Sequence, residues 1–205
     1  MKKSSAVLIA FCFLTTVATA QMQLGPKLGL NISNLHGNDA GESKSKLGFT
    51  VGAFFNVKLN DYLAIQPEVY YTTKGAKDTT IYDNQSYDYT FALEYVEIPL
   101  LVKVLIPLGS KIRSTIFVGP SIAFNSSAKV KTDVDGVILE ADYDYIKSTE
   151  LGLVLGAGIG FPMGKNEIGF DARYNLGLTT IDDLDNNADV KNNVININFY
   201  FAAPF

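Results

Sequence analysis

Long segments of this chain alternate between apolar residues and small or polar ones, and a two-residue period of that length is the signature of β-strands, not helices. From 150 to 161, Leu151, Leu153, Leu155, Ala157, Ile159 and Phe161 fall on one face, with Glu150, Gly152, Val154, Gly156, Gly158 and Gly160 on the other. From 167 to 178, Ile168, Phe170, Ala172, Tyr174, Leu176 and Leu178 oppose Glu167, Gly169, Asp171, Arg173, Asn175 and Gly177. From 48 to 57, Phe49, Val51, Ala53, Phe55 and Val57 oppose Gly48, Thr50, Gly52, Phe54 and Asn56. Segments 23–33, 62–73, 91–104, 112–125 and 193–201 follow the same rule. This gives eight strands, most of them at least ten residues long. A globular strand runs about 5–6 residues, whereas a tilted membrane-spanning strand needs about 9–11.

The connections carry a second regularity. Strands two and three, four and five, and six and seven are joined tightly around Leu59-Asn60-Asp61, Pro107-Leu108-Gly109-Ser110 and Pro162-Met163-Gly164-Lys165. The other four connections, 34–45, 74–90, 126–147 and 179–192, are long and polar. Short turns at one end and long loops at the other characterise bacterial outer-membrane barrels, whose short turns are periplasmic. The expected fold is therefore all-β, an eight-stranded antiparallel up-and-down transmembrane barrel with both termini periplasmic. Asp135-Gly136, flanked by 129–134 and 137–143, is a strong hairpin signal, so strands five and six are expected to continue beyond the membrane as a raised hairpin.

Alternation alone does not say which face meets lipid. The minority face decides it, because its charges balance: Lys27, Lys103, Arg113 and Arg173 stand against Glu68, Glu97, Glu150 and Asp171. An eight-stranded lumen is just wide enough to be filled by side chains, and a charge buried there needs a partner. These eight residues are the expected lumen charge network. Tyr62, Tyr70, Phe55, Phe161, Phe199, Tyr200 and Phe201 lie near strand ends, where aromatic girdles are expected. The terminal Phe205 resembles the assembly signal of outer-membrane proteins.

The first twenty residues read as an export signal: Lys2 and Lys3, an apolar stretch from Ala6 to Leu14, then small residues up to Ala20. The expected division is 1–20 signal peptide and 21–205 barrel domain. The apolar stretch falls short of the roughly 20 residues a membrane helix needs. The single cysteine, Cys12, follows bulky Phe11, which disfavours a lipoprotein cleavage site. Removing Lys2 and Lys3 from the 17 basic residues leaves 15 against 21 acidic ones, without a basic block. That balance gives nucleic-acid binding no electrostatic support.

Five stretches carry a family resemblance: GPKLGLN at 25–31, PEVYYTTKG at 67–75, LEYVEIPLLVKV at 93–104, FVGPSIAF at 117–124 and YNLGLTTID at 174–182. Together they resemble the PorT-like outer-membrane β-barrel family of Bacteroidetes-type bacteria, over nearly the whole of 21–205. The resemblance implies an eight-stranded outer-membrane barrel and no catalytic residue.

Motifs of chemistry are weak. His36, the only histidine, has no nucleophile motif beside it and reads as a loop residue. The run from Asp182 to Asp189 is rich in oxygen ligands, but Ala188 and Val194 stand where a calcium hand wants Gly and Glu. It reads as a solvated acidic loop, so no metal or cofactor is expected. The glutamates with Arg113 and Arg173 read as lumen ion pairs before a proton relay or glycosidase pair. Tyr82, Tyr87, Tyr89, Tyr143 and Tyr145 sit among Asp and Asn in the long loops. Tyrosine brings large contact area at small entropic cost, which makes these five the candidate binding surface. The reading is a non-enzymatic barrel surrounded by outer-membrane lipid, structural or binding a protein partner through its outer loops. Its alternatives are a small outer-membrane enzyme, a narrow channel and a soluble periplasmic ligand-binding barrel.

Overall fold

The computed structural model describes residues 21–41, 43–82, 85–108, 111–134, 137–184 and 188–205. Residues 1–20, expected as the signal peptide, Asp135-Gly136, expected as a hairpin turn, residues 185–187 and the side chain of Tyr82 lie outside that description.

Nine strands are present among the described residues: β1 Gln21–His36, β2 Lys44–Lys58, β3 Leu63–Tyr82, β4 Gln85–Leu108, β5 Ile112–Val134, β6 Val137–Asp142, β7 Thr149–Met163, β8 Asn166–Gly177 and β9 Lys191–Pro204. All pairings are antiparallel. The order β4-β3-β2-β1-β9-β8-β7-β5 closes on itself because β4 also pairs with β5. Eight strands therefore form the barrel, leaving no free edge along its wall. The ninth, β6, attaches only to β5. The turn between β7 and β8 places Gly164 at φ 64°, a left-handed conformation that favours glycine.

The apolar stripe faces outward. Leu28, Leu30, Phe170 and Ile197 are 51–63% exposed, a band of Leu, Ile and Phe that only acyl chains can cover. Lys27, Glu68, Glu97, Asp171 and Arg173 on the opposite parity are at most 5% exposed. The greasy surface on the outside and the charges inside are what a membrane barrel requires. The lumen is crowded: a Cβ on Gly156 would come within 2.6 Å of the Phe117 ring.

Two expectations are corrected. Tyr70 and Tyr200, assigned to the interfacial girdle, are 4% and 6% exposed and project into the lumen. They share parity with Glu68 and Thr72, and with Asn198 and Ala202, which overrides their place near strand ends. The second long connection is mostly strand. β3 and β4 stay paired out to Tyr82↔Gln85, and β4 and β5 out to Tyr87↔Val134.

Together with β6, the outer parts of β3, β4 and β5 form a four-stranded sheet that rises past the barrel rim. β5 is handed from one neighbour to another: it pairs β7 only up to Phe124↔Thr149, then β6 from Lys129↔Asp142 onward. Between these, the β4 register slips from Tyr95↔Asn125 to Glu94↔Ser127. Ser126 is the extra residue of a bulge, which turns the strand.

Candidate functional site: lumen and raised sheet

Parity along β1, β3, β4, β7 and β8 sends charged side chains into the lumen, and seven of them form two groups. In the first, Lys27 Nζ lies 2.7 Å from Glu68 Oε1 and 2.9 Å from Asp171 Oδ2. Arg173 closes the square, with Nη1 2.7 Å from Glu68 Oε2 and Nε 2.9 Å from Asp171 Oδ1. Two cations meet two carboxylates, and Asn198 donates to Asp171 Oδ1 at 2.8 Å. Such closely partnered charges offset the cost of leaving water.

The second group centres on Lys74, whose Nζ stands 2.8 Å from Glu97 Oε2 and 3.4 Å from Glu150 Oε2. Tyr70 Oη and Asn175 Nδ2 both donate to Glu97 Oε1 at 3.1 Å, and Asn192 Nδ2 donates to Glu150 Oε2 at 3.0 Å. Lys103 forms no ion pair among the described residues. Its Nζ donates to Gln66 Oε1 at 3.0 Å and lies 5.9 Å from the Phe117 and Tyr200 ring centres.

Of the eight sequence-derived network residues, seven are buried in the lumen, six of them in these two groups and Lys103 beside them. Arg113 stands at the short-turn mouth instead, its side chain 48% exposed, with Nη1 3.1 Å from Glu167 Oε2. Lys74 and Glu167 complete the arrangement and were not among the eight. Lys74 was assigned to a loop, although it continues the Glu68, Tyr70, Thr72 parity.

Lumen chemistry is limited by space. The cavity beside Lys74, Glu97 and Glu150 is about 10 Å³, roughly the room of one water. The long-loop end is plugged where Ile181 packs on Leu93, Tyr95 and Ala123, with Ile146 and Val190 against them. At the other end Phe54 and Tyr200 meet edge to face at 5.7 Å. The paired carboxylates cross-link the strands of the wall from inside.

The candidate loop tyrosines belong to the raised sheet and the segment after it. Tyr87 and Tyr89 are on β4. Tyr143 stacks edge-on with Phe91 at 6.1 Å and with Tyr145 at 5.6 Å. Tyr82 pairs with Gln85 at the tip of the β3–β4 ladder. The sheet's far edge is apolar and open: Val137, Ile138 and Leu139 are 61–65% exposed. Its β5–β6 face carries an ion-pair cluster, where hydrogen bonds from Lys129 and Lys131 hold the Glu140 carboxyl down to about 2.

His36 is fixed at the end of β1, with Nδ1 3.1 Å from the Lys191 carbonyl oxygen. In the acidic loop, Asp182 Oδ1 accepts from the Leu184 amide at 2.7 Å, and Lys191 binds Asp189 and holds its carboxyl below the usual range. Among the described residues no three His, Cys, Asp or Glu side chains gather to hold a metal.

A closed antiparallel barrel with charges inside and a lipid-facing apolar band defines a transmembrane β-barrel of the outer-membrane kind. The family model described as "Outer membrane protein beta-barrel domain" matches residues 18–183, and this chain belongs to that family. No curated protein matches the chain by sequence. Among solved structures, OprG of Pseudomonas aeruginosa is similar at 11% identity and TM-score 0.52, over 91% of this chain and 96% of its own. Neisserial surface protein A gives 14% and 0.51, over 89% and 97%. Ail of Yersinia pestis gives 15% and 0.46, over 89% and 99%. At these identities the likeness is one of fold.

Proposed function

We propose that this protein is a non-enzymatic outer-membrane barrel of the PorT-like kind whose raised sheet docks a protein partner outside the cell. Its export signal ends at Ala20, both termini and the three short turns lie in the periplasm, and the sheet β3-β4-β5-β6 stands outside. The observation that carries this reading is the open apolar edge of that sheet. Val137, Ile138 and Leu139 are exposed on a strand that has a neighbour on one side only. An unpaired strand edge is a template for a further extended segment, and the adjacent Phe91, Tyr143 and Tyr145 rings add contact area. The filled lumen supports a role outside the barrel, because it leaves neither substrate nor solute a place.

The test is a pull-down from detergent-solubilised envelopes. Intact protein is compared with a form lacking 78–89 and 130–143, each gap bridged by Asn-Gly. Both deletions end near paired positions, so the barrel beneath keeps its ladder. A protein retained by the intact form alone supports the reading. Equal recovery by both forms, with both folded, would remove it.

A further inference from the structure

We infer that the lumen holds one dehydrated monovalent cation, of sodium's size, between Glu97, Glu150 and Asn175. The site is independent of whatever the raised sheet binds.

The first charged group of the lumen is neutral, because Lys27 and Arg173 meet Glu68 and Asp171. The second is not. Glu97 and Glu150 share a single ammonium, that of Lys74, at 2.8 and 3.4 Å. Among the described residues no other Lys or Arg comes within ion-pair distance of either carboxylate. Lys103 carries the missing positive charge, but it stands six residues further along β4, roughly 20 Å away at the usual rise of a strand. On β3, Ala64 lies opposite Lys103 and Tyr70 opposite Glu97, so Glu68 and its neutral square fall between them. Lys74, Glu97 and Glu150 are 1–3% exposed, and a charge so far from water needs a partner close by.

A second observation points to the same place. The cavity of about 10 Å³ is lined by both carboxylates together with Ser121 and Asn175. Asn175 is 6% exposed, and its Nδ2 donates to Tyr70 Oη and Glu97 Oε1, while its Oδ1 is buried and accepts from no donor among the described residues. An amide oxygen is an acceptor only, so a donor or a cation must complete it. Two glycines keep the space open: a Cβ on Gly152 would lie 2.8 Å from Ser121 Oγ, and one on Gly177 2.7 Å from Glu150 Oε1.

The cavity admits a single atom-sized guest and no larger solute. A water molecule there would serve Asn175 Oδ1 and leave the surplus negative charge in place. A proton would cancel the charge but has no use for a cavity. A divalent ion would overshoot the charge and takes about six to eight oxygens. A sodium ion stripped of its shell is smaller than water, brings one positive charge, and takes carboxylate, amide and hydroxyl oxygens as ligands.

The full protein, refolded in lipid vesicles without sodium, would be unfolded in urea at fixed ionic strength while sodium chloride replaces choline chloride. A ligand held only by the folded state should lower the unfolding equilibrium constant by about tenfold for each tenfold rise in its concentration above the dissociation constant. E150Q makes the site neutral and is expected to lose this response. G152A fills the cavity without removing a charge and is expected to lose it too. The control E167Q, a carboxylate removed at the short-turn mouth, should keep it. Heat-modifiable gel mobility checks folding, and E150Q carries the test should G152A fail to fold. An absent sodium response in the parent, a response retained by folded E150Q or G152A, or one lost in E167Q overturns the proposal. Stability that follows pH and not sodium overturns it as well, in favour of a proton shared by the two carboxylates.

Discussion

Two regions of the molecule share the same strands and arrange charge in opposite ways. Within the barrel, β4 turns Lys103 and Glu97 inward and Val102, Leu100 and Ile98 outward. Past Glu94 the same strand turns Phe91 inward, onto Tyr143, while Thr90 and Asp88 take the outward face. The alternation is continuous and only its sign changes. Surroundings account for the change: lipid covers the lower wall, so polar groups must find one another inside, whereas water covers the upper sheet and lets charges sit on its surface. The pairs made in the two places should therefore differ in consequence. Lys27, Glu68, Asp171 and Arg173 are almost wholly desolvated, while Lys129, Lys131 and Glu140 keep 38–42% of their side-chain surface exposed.

The largest effect is expected from removing one member of the buried square. Arg173→Met leaves Glu68 and Asp171 sharing Lys27, and an uncompensated buried charge costs roughly 3–5 kcal/mol. Removing Glu68 as well, in E68M/R173M, leaves the neutral Lys27–Asp171 pair at 2.9 Å and should return part of the loss. Urea unfolding in lipid vesicles would measure both. A double variant weakened by the full sum of its two single variants would mean that the square is not a coupled unit.

A smaller effect separates lipid from water on the outside. Phe170 and Ile138 are both outward, apolar and exposed in the protein alone, at 51% and 65%. Arginine at Phe170 should destabilise the barrel by about 2–4 kcal/mol if that position lies near the bilayer centre. Arginine at Ile138 should change stability by no more than about 0.5 kcal/mol, as surface substitutions do. Equal responses at the two sites would contradict the boundary drawn at Glu94.

The same change of sign decides how much could be read from the sequence. Glu68, Asp171 and Arg173 were legible because unbroken alternation places them opposite Val69, Phe170 and Ala172. Closure into a barrel followed from strand length and from the segregation of short and long connections. The raised part of β3 and β4 was not legible. Alternation of apolar against polar residues loses its contrast where the faces exchange character, although Thr79, Thr80 and Ile81 are good strand formers. Lys74 was lost at this break, because the following Gly75 reads as a turn. For Tyr70 and Tyr200 parity, not nearness to a strand end, sets the direction of the side chain. Arg113 has lumen parity but begins one residue into β5, where its long side chain reaches the mouth. The row Lys44, Lys77, Thr90 and Lys131 needs cross-strand register, which a linear sequence does not display.

The smallest expected effect belongs to the exposed end of the comparison and concerns pH. Glu140 is held at about 2 against an ordinary 4.5, through hydrogen bonds from Lys129 and Lys131. A carboxyl depressed in the folded sheet contributes stability that is fully present above 4.5 and fades as pH falls from there toward 2. The β5–β6 hairpin should accordingly open more readily across that window, seen as faster amide exchange between Lys129 and Asp142 while the amides of β7 and β8 stay protected. In the E140Q variant the exchange should already be faster at neutral pH and should lose this pH dependence. Salt should reproduce part of the acid effect, because an exposed pair is screened. The buried square should show no such response to salt. A hairpin whose exchange is indifferent to both pH and E140Q would mean that its backbone pairing holds it upright without the ion pairs.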